Sequence, residues 1–420
     1  MAEPESELEP YEPLYDGVAL GMWLYSRAAF RVETLGELRS EPGLLLVSTH
    51  RAESDVPLLC PSVYSRCHFL LDRRAARLCF AARDDMFDRG FVAGFPDRLP
   101  LGARRLLYGL RAGPYLPRVR VHPIPYPGIT WMRIGWALER LPAAMPLDAA
   151  LPPEVAQRFR ARAEEARLDS PCSVGDALTG VYADLLWAYC SREELSSSVF
   201  EELWRTRASE GAAALRRLIG HARTSGEMLL LFPEGKPSED GSIGPLQPGL
   251  DLFVRRARPP ALKPVAISYD GLVPGRSRAV VAFGARLGPD DGPAEERLLA
   301  ALRATMPLTA GQVVAHELVA AAGAGRESVL AGAIDRAVAA AVASALAEGR
   351  PVERALRGSE RRARLSETLR ALIQRGVAAS RDRRSLVLEP DRLLADPIVL
   401  RSAREYASAR GADGGGLASG

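Results

Sequence analysis

Lysine is nearly absent from this sequence of 420 residues, because only Lys236 and Lys263 occur among 55 basic residues. The remaining basic residues are arginine, which we interpret as a bias of base composition. The net charge is only +3 and aromatic residues make up 6% of the chain. Basic patches interleaved with aromatic residues, which are typical of nucleic-acid binding, are therefore not expected. We expect no nucleic-acid partner.

Long hydrophobic runs are also missing. A membrane-spanning helix needs about 20 consecutive apolar residues, and no run comes close to that length. The first residues include Glu3, Glu5, Glu7 and Glu9, whereas a signal peptide begins with a basic stretch. With 47% hydrophobic and 25% charged residues, we expect a globular chain of two or three domains that is neither secreted nor membrane-spanning.

Cysteine and histidine are scarce, at five residues each. The cysteines show neither paired zinc spacing nor a redox motif, which favours reduced thiols and a cytoplasmic location. The histidines other than His50 make no ligand spacing with one another: His68, His122, His221 and His316. We therefore predict no metal site.

Short apolar runs bounded by turn residues predict buried strands. Helical stretches such as 99–110 separate several of these runs, which are Gly43–Ser48, Cys67–Leu71, Val119–Pro125, Met228–Phe232, Pro264–Tyr269 and Ala279–Phe283. Strands that alternate with helices are typical of α/β folds. We predict a mixed, mainly parallel sheet flanked by helices.

The pattern along the chain also predicts its organisation. We expect a flexible acidic tail at 1–13, a main domain at 14–290 with a helical insertion at 131–225, a helical C-terminal region at 291–410, and a disordered tail at 411–420. The apolar helix predicted at 14–30 either touches lipid or packs on the domain. The apolar stripe GVYADLLWAYC in the insertion either lines a groove for an apolar ligand or belongs to the core.

His50 and Asp55 form the first chemical constellation. His50 follows a predicted buried strand, while Asp55 comes just before Pro57 at a predicted helix start. A tight turn between them would bring the carboxylate to one imidazole nitrogen. This is the base and its orienting carboxylate from a catalytic triad, so the substrate would supply the nucleophile. The alternative is a loop histidine beside an aspartate that only caps the helix.

The second constellation is Phe232-Pro233-Glu234-Gly235-Lys236-Pro237-Ser238. Pro233 and Gly235 end an apolar strand, so Glu234 should lie at the sheet edge that carries His50. Gly235 permits a positive φ angle.

Together these residues resemble the glycerolipid acyltransferase family, which includes the lysophosphatidic acid acyltransferases. His50 and Asp55 match its His-x4-Asp block, and Phe232 to Gly235 with Ser238 match its Phe-Pro-Glu-Gly-Thr-Arg-Ser block. Lys263 to Ile267 resemble its fourth block.

The resemblance implies that His50, oriented by Asp55, deprotonates a hydroxyl of a lysophospholipid or glycerol phosphate. The hydroxyl then attacks an acyl thioester carried on coenzyme A or on acyl carrier protein, without a metal or other cofactor. Glu234 and Gly235 are expected to bind substrate, and we add Lys236 and Arg51 as anion contacts. The location expected from this activity is the cytosolic face of a membrane, as a peripheral protein.

Two departures bear on the acceptor. Lys236 and Pro237 replace the Thr-Arg of the third block, and Tyr126 stands where the second block normally has arginine. The acceptor could therefore carry no phosphate. The same residues are also compatible with a hydrolase that passes the acyl group to water, and with a non-catalytic lipid-binding protein of the same fold.

Overall fold

The computed structural model describes residues 11–52, 54–67, 75–90, 100–110, 112–124, 131–195, 198–247, 249–288, 294–382 and 384–411. Contacts between Cα atoms divide the chain into two compact units. The first unit comprises Met1–Tyr15 and Cys79–Thr224, and the second comprises Asp16–Leu78 and Ser225–Gly420.

The described residues form alternating strands and helices. The strands are β1 Arg31–Leu35, β2 Leu45–Ser48, β3 Leu78–Arg83, β4 Val121–Ile124, β5 Trp131–Arg133, β6 Tyr189–Ser191, β7 Met228–Leu231, β8 Leu262–Asp270, β9 Arg278–Phe283, β10 Ser328–Leu330, β11 Ala378–Ser380 and β12 Ser385–Leu388. The helices are α1 Glu12–Ala29, α2 Asp55–Cys67, α3 Leu101–Leu107, α4 Ile134–Leu138, α5 Leu147–Ala150, α6 Pro153–Glu165, α7 Val174–Ala177, α8 Ala183–Trp187, α9 Ser198–Thr224, α10 Gly249–Ala257, α11 Ala294–Thr305, α12 Ala310–Gly323, α13 Ala331–Ala347, α14 Arg361–Gln374, α15 Pro390–Ala395 and α16 Pro397–Ala409.

The sheet of the second unit has the strand order β1-β9-β8-β2-β7. Only the β8–β9 pair is antiparallel, and the other pairs are parallel. β2 lies between β7 and β8, so Leu45, Leu46 and Val47 are at most 1% exposed, which explains why this strand is apolar at every position. Helix α2 packs against β9, and α11 and α12 pack against β8. The prediction of a mainly parallel sheet flanked by helices is confirmed for this sheet.

The first unit contains the parallel pair β3–β4 and the antiparallel pair β5–β6. Its core is built mainly from the segment predicted as a helical insertion, and it includes Met132, Trp136, Phe159, Phe200 and Trp204. The stripe GVYADLLWAYC belongs to this core, because Val181, Tyr182, Ala183, Leu186 and Cys190 are buried in it. The strands β5 and β6 within this segment were not predicted.

The C-terminal part of the second unit contains the helices α11 to α16 and also a small antiparallel sheet with the order β10-β12-β11. Its strands have only three or four residues each, too few to produce a clear period-two pattern. Helix α12 packs closely against α16, and their apolar faces share one core.

Helix α1 begins at Glu12, inside the segment predicted as a tail, whose residues 1–10 lie outside the described residues. The strand predicted from Cys67 is wrong at its first position, because Cys67 ends α2, and 68–71 are not described. Among the described helices, none has the length and apolar character needed to cross a bilayer.

Candidate active site

The loop that carries His50 follows β2 directly and is fixed to β8. The Thr49 amide donates to the carbonyl of Val265 at 3.0 Å, and the Ile267 amide donates to Thr49 Oγ1 at 3.1 Å. Both bonds continue the β2–β8 pairing past the end of β2. His50 therefore leaves the sheet at a defined place, at the carboxyl ends of parallel strands where α/β proteins commonly bind ligands.

The imidazole of His50 is held by Asp55, the first residue of α2. Nδ1 of His50 lies 2.8 Å from Asp55 Oδ2, and the histidine side chain is 12% exposed. Asp55 Oδ2 also accepts hydrogen bonds from the amides of Arg51 at 2.5 Å and Ala52 at 3.1 Å. With Nδ1 donating to the carboxylate, Nε2 carries the lone pair and can act as a base.

Tyr269, near the end of β8, is a further member of this group. Its hydroxyl donates to Asp55 Oδ1 at 2.7 Å. Burial and then the adjacent Asp55 raise the pKa of Tyr269 well above its usual range, so the phenol keeps the proton that it donates. The sequence analysis missed this role, although it predicted a strand that ends at Tyr269.

The second motif lies beside the first because β7 pairs with β2. Val47 is opposite Leu231, so Phe232 and Glu234 follow β7 where His50 follows β2. The ring centroids of Phe232 and His50 are 4.5 Å apart, with 31° between the planes. Aromatic contact of this kind fixes the orientation of the imidazole.

Glu234 connects the two motifs through its carboxylate. Oε1 accepts from the His50 amide at 2.8 Å, and Oε2 accepts from the Gly244 amide at 2.9 Å. Burial raises the pKa of Glu234, and the charge of Arg51 and these two amides oppose that shift. Both oxygens therefore hold backbone, and contact between Glu234 and substrate stays a prediction.

Gly235 has a φ angle of +76°, and a Cβ at this position would lie 3.1 Å from Gln247 Nε2. Gln247 closes the turn, because its amide donates to the Pro233 carbonyl at 2.8 Å and Nε2 donates to the Glu234 carbonyl at 3.2 Å. Glycine thus supplies both the left-handed backbone and the space that this turn needs.

Arg51 lies inside the protein at 1% exposure. Its guanidinium donates to the carbonyls of Gly241 at 2.8 Å and Ser242 at 2.6 Å. The charge of Arg51 also acts on the buried carboxyls of Glu234 and Glu405, lowering the pKa of each against the larger effect of burial. These contacts give Arg51 a structural role, and its predicted contact with an anionic substrate stays a prediction.

Lys236 lies on the surface next to this centre. Its side chain is 62% exposed, and Nζ pairs with Glu239 at 3.1 Å. Two residues further on, the Ser238 amide donates to the His50 carbonyl at 2.8 Å, so the segment bearing Lys236 runs beside His50. Contact of Lys236 with substrate stays a prediction. Tyr126, the residue that stands in place of the second-block arginine, lies outside the described residues.

A cavity of about 720 Å³ lies close to the Asp55 partner Tyr269. Phe30 lines the cavity and packs on the Tyr269 ring, with the centroids 5.6 Å apart. The cavity is rich in arginine, and its charged lining residues are Arg27, Arg31, Glu33, Arg276, Arg278 and Arg354. Arg278 starts β9 opposite Asp270, the last residue of β8, and Arg31 starts β1 opposite Arg278. Both arginines therefore lie at the end of the sheet that carries His50.

Comparisons with known proteins give limited similarity. The sequence matches no protein-family model, and no curated protein matches it significantly. Among solved structures, the chain is similar to the 1-acyl-sn-glycerophosphate (LPA) acyltransferase PlsC from Thermotoga maritima, with 12% identity and a TM-score of 0.33. The match covers 68% of this chain and 76% of that chain. Both the identity and the TM-score are too low to assign a function.

The two hydrogen bonds from backbone amides to Glu234 can be tested by Glu234→Gln. A glutamine offers one acceptor oxygen, so its NH₂ group would face one of the two amides that the carboxylate now satisfies. We expect the free energy of unfolding to fall by about 1–3 kcal/mol, the cost of a buried unsatisfied donor. Urea unfolding measures this value. Glu239→Gln is the control, since that side chain is 84% exposed, and an equal loss in both variants would contradict the assignment.

Proposed function

We propose that this protein is an acyltransferase, which moves a fatty acyl group from a thioester to a hydroxyl of a lysophospholipid or glycerol phosphate. The donor is acyl-CoA or acyl carrier protein. One observation carries the proposal: His50, held by Asp55, and the Phe232–Gly235 turn meet at one edge of the sheet. These are the two motifs through which the sequence resembles glycerolipid acyltransferases, and they lie far apart in the chain.

In the proposed reaction, Nε2 of His50 removes the proton of the acceptor hydroxyl while its oxygen attacks the thioester carbonyl. The tetrahedral intermediate then collapses and the carbon–sulfur bond breaks. The imidazolium returns its proton to the departing sulfur, so the products are an ester and a free thiol. Asp55 stabilises the imidazolium that forms between these steps, and Tyr269 keeps the carboxylate in place.

Replacing the base should remove the activity without removing the fold. We expect His50→Ala to lower kcat/KM for acyl transfer by about 10²- to 10⁴-fold, the usual contribution of general-base catalysis. Tyr269→Phe should cause a smaller loss, because it removes one donor to Asp55. The measurement is transfer of labelled acyl chains to a panel of lysophospholipids, glycerol phosphate and unphosphorylated alcohols.

His316→Ala is the matched control, because His316 lies elsewhere in the second unit, in α12 beside Tyr406. Circular dichroism should show both variants folded. Undiminished transfer by folded His50→Ala would contradict the proposed base. Release of free fatty acid by the wild type, with or without acceptor, would indicate a hydrolase, and absence of turnover would favour a lipid-binding protein.

The arginine cavity supports an anionic substrate. Arg31 pairs with Glu367 at 2.7 Å, Arg278 lies 3.2 Å from Glu353, and Glu33 lies 3.8 Å from Arg354. Five arginines and one carboxylate, that of Glu33, line the cavity, and Glu353 and Glu367 are also paired with Arg364. Positive charge is therefore left in this concave site, whose lining residue Phe30 packs on Tyr269. Arginine binds phosphate through several parallel hydrogen bonds. A phosphorylated acceptor, or the phosphates of coenzyme A, would compensate this charge.

Neutralising the cavity should affect binding more than the chemical step. We expect Arg31→Gln with Arg276→Gln to raise KM for the anionic substrate about 10-fold or more, since hydrogen bonds to charged groups contribute about 1.5–3 kcal/mol, while kcat changes little. Steady-state kinetics with phosphorylated and unphosphorylated acceptors, and with CoA and pantetheine thioesters, identify which substrate carries the phosphate. Arg370→Gln, on the exposed surface of α14, is the control. An unchanged KM for every substrate would rule out this cavity.

Helix α1 supports contact with a lipid surface. Leu20, Trp23, Leu24 and Tyr25 are 41–56% exposed on this helix, and Leu20, Trp23, Leu24 and Arg27 follow helical spacing along one stripe. Arg27 also lines the arginine cavity. An apolar stripe next to cationic side chains suits the interface of an anionic bilayer, where a lipid acceptor would be found. We propose that the protein lies peripherally at the cytosolic face of a membrane.

Charges on this stripe should weaken membrane binding. We expect Leu20→Glu with Leu24→Glu to reduce sedimentation with vesicles of anionic phospholipid, because two apolar contacts are lost and two negative charges are added. The matched control is Leu346→Glu with Leu330→Glu, as those leucines are 47% and 59% exposed on other elements. Equal binding of both variants would contradict a membrane role for α1.

A further inference from the structure

Three potential metal ligands of the first unit meet at one place, away from the residues used above. Cys79 lies on β3, His122 on β4, and His221 in the last turn of α9. One ligand atom of each, the cysteine Sγ and a ring nitrogen of each histidine, lies within 4.8 Å of the others. The two imidazole centroids are 4.1 Å apart.

Local structure explains why these side chains converge. β3 and β4 are parallel with Ala81 opposite His122, and side chains two positions apart point to the same face of a strand. Cys79 and His122 therefore share a face of the pair. Helix α9 packs on β4 and adds His221 from its end.

His122 offers a ring nitrogen that the described residues leave unused. Its Nε2 atom is buried and has no hydrogen-bond partner in the part of the chain that the structure describes. A neutral imidazole with a free lone pair is the form that binds metal.

The surrounding charges do not exclude a cation. Arg120 is the positive group that acts on both His122 and Cys79, and it forms an ion pair with Glu12. The Cys79 side chain is buried. A bound metal ion would replace the thiol proton, which would leave to solvent, and the thiolate charge would then be balanced by the metal.

We propose that Cys79 Sγ, together with one imidazole nitrogen each from His122 and His221, binds a zinc ion. A set of one thiolate and two imidazoles suits Zn²⁺, whose bonds to nitrogen and sulfur are about 2.0–2.3 Å long. Ligand atoms in a tetrahedral zinc site are therefore about 3.5 Å apart, so the three side chains need to close by only about 1 Å. The fourth position is left for water or another donor, and the ion connects β3, β4 and α9.

The test uses the untagged full-length chain and does not involve acyl transfer. Zinc content after gel filtration and competition with a chromophoric chelator give stoichiometry and affinity. We expect one zinc ion per chain, and a loss of affinity above about 100-fold in His122→Gln and in His221→Gln, because loss of even an outer-shell partner typically costs about 10- to 100-fold. Cys172→Ser is the control, since Cys172 is the exposed cysteine of the same unit.

A second measurement keeps the result clear if a variant folds poorly. Cobalt in place of zinc should give a thiolate-to-metal charge-transfer band in wild type and in Cys172→Ser, and this band should vanish in Cys79→Ser. Zinc should also raise the melting temperature of wild type, since a ligand bound only by the native state stabilises it. The proposal fails if wild type shows no cobalt–thiolate band, or if wild type and folded His122→Gln bind zinc equally.

Discussion

The candidate active site depends on a single carboxylate that has no access to water. Asp55 is 0% exposed, and four donors satisfy its oxygens: the ring of His50, the amides of Arg51 and Ala52, and the hydroxyl of Tyr269. A buried carboxylate is tolerated only with such partners. Because the donors come from the loop after β2 and from β8, the orientation of the imidazole follows directly from the packing of these neighbouring strands.

Glu234, which follows the neighbouring strand β7, is a second buried carboxylate that accepts hydrogen bonds from backbone amides. Glu234 joins the His50 amide to the Gly244 amide, so the two motifs form one hydrogen-bonded unit. The side chain of Arg51 lies between them and the 238–242 segment, held by the carbonyls of Gly241 and Ser242. The acidic residues of both motifs therefore bind the backbone and the imidazole, and in the proposed function the substrate contacts the exposed edge of His50 and the nearby arginines.

The sequence predicted the parts of this site that depend on local pattern. The continuous apolar runs that became β2 and β7, and the proline and glycine after them, were sufficient to expect His50 and Glu234 at one sheet edge. Tyr269 could not be assigned, because its role depends on β8 lying beside β2, which no local signal specifies. The same limit applies to Cys79, His122 and His221, which come from two strands and a helix with no ligand spacing between them. The strands β10 to β12 were missed because they are short.

Helix α16 supports the candidate active site, although it lies far from His50 in the sequence. Arg401 of α16 donates to the Arg51 carbonyl, Ser408 Oγ accepts from the Ile243 amide at 3.0 Å, and the buried Glu405 lies near the Arg51 guanidinium. Arg51, in the loop after β2, and Ile243 therefore have these hydrogen-bond partners only when α16 has docked. During synthesis on the ribosome, residues 50–55 emerge long before residue 401, so we infer that a nascent chain passes through a stage in which the sheet can form while the imidazole is not yet held in its working position.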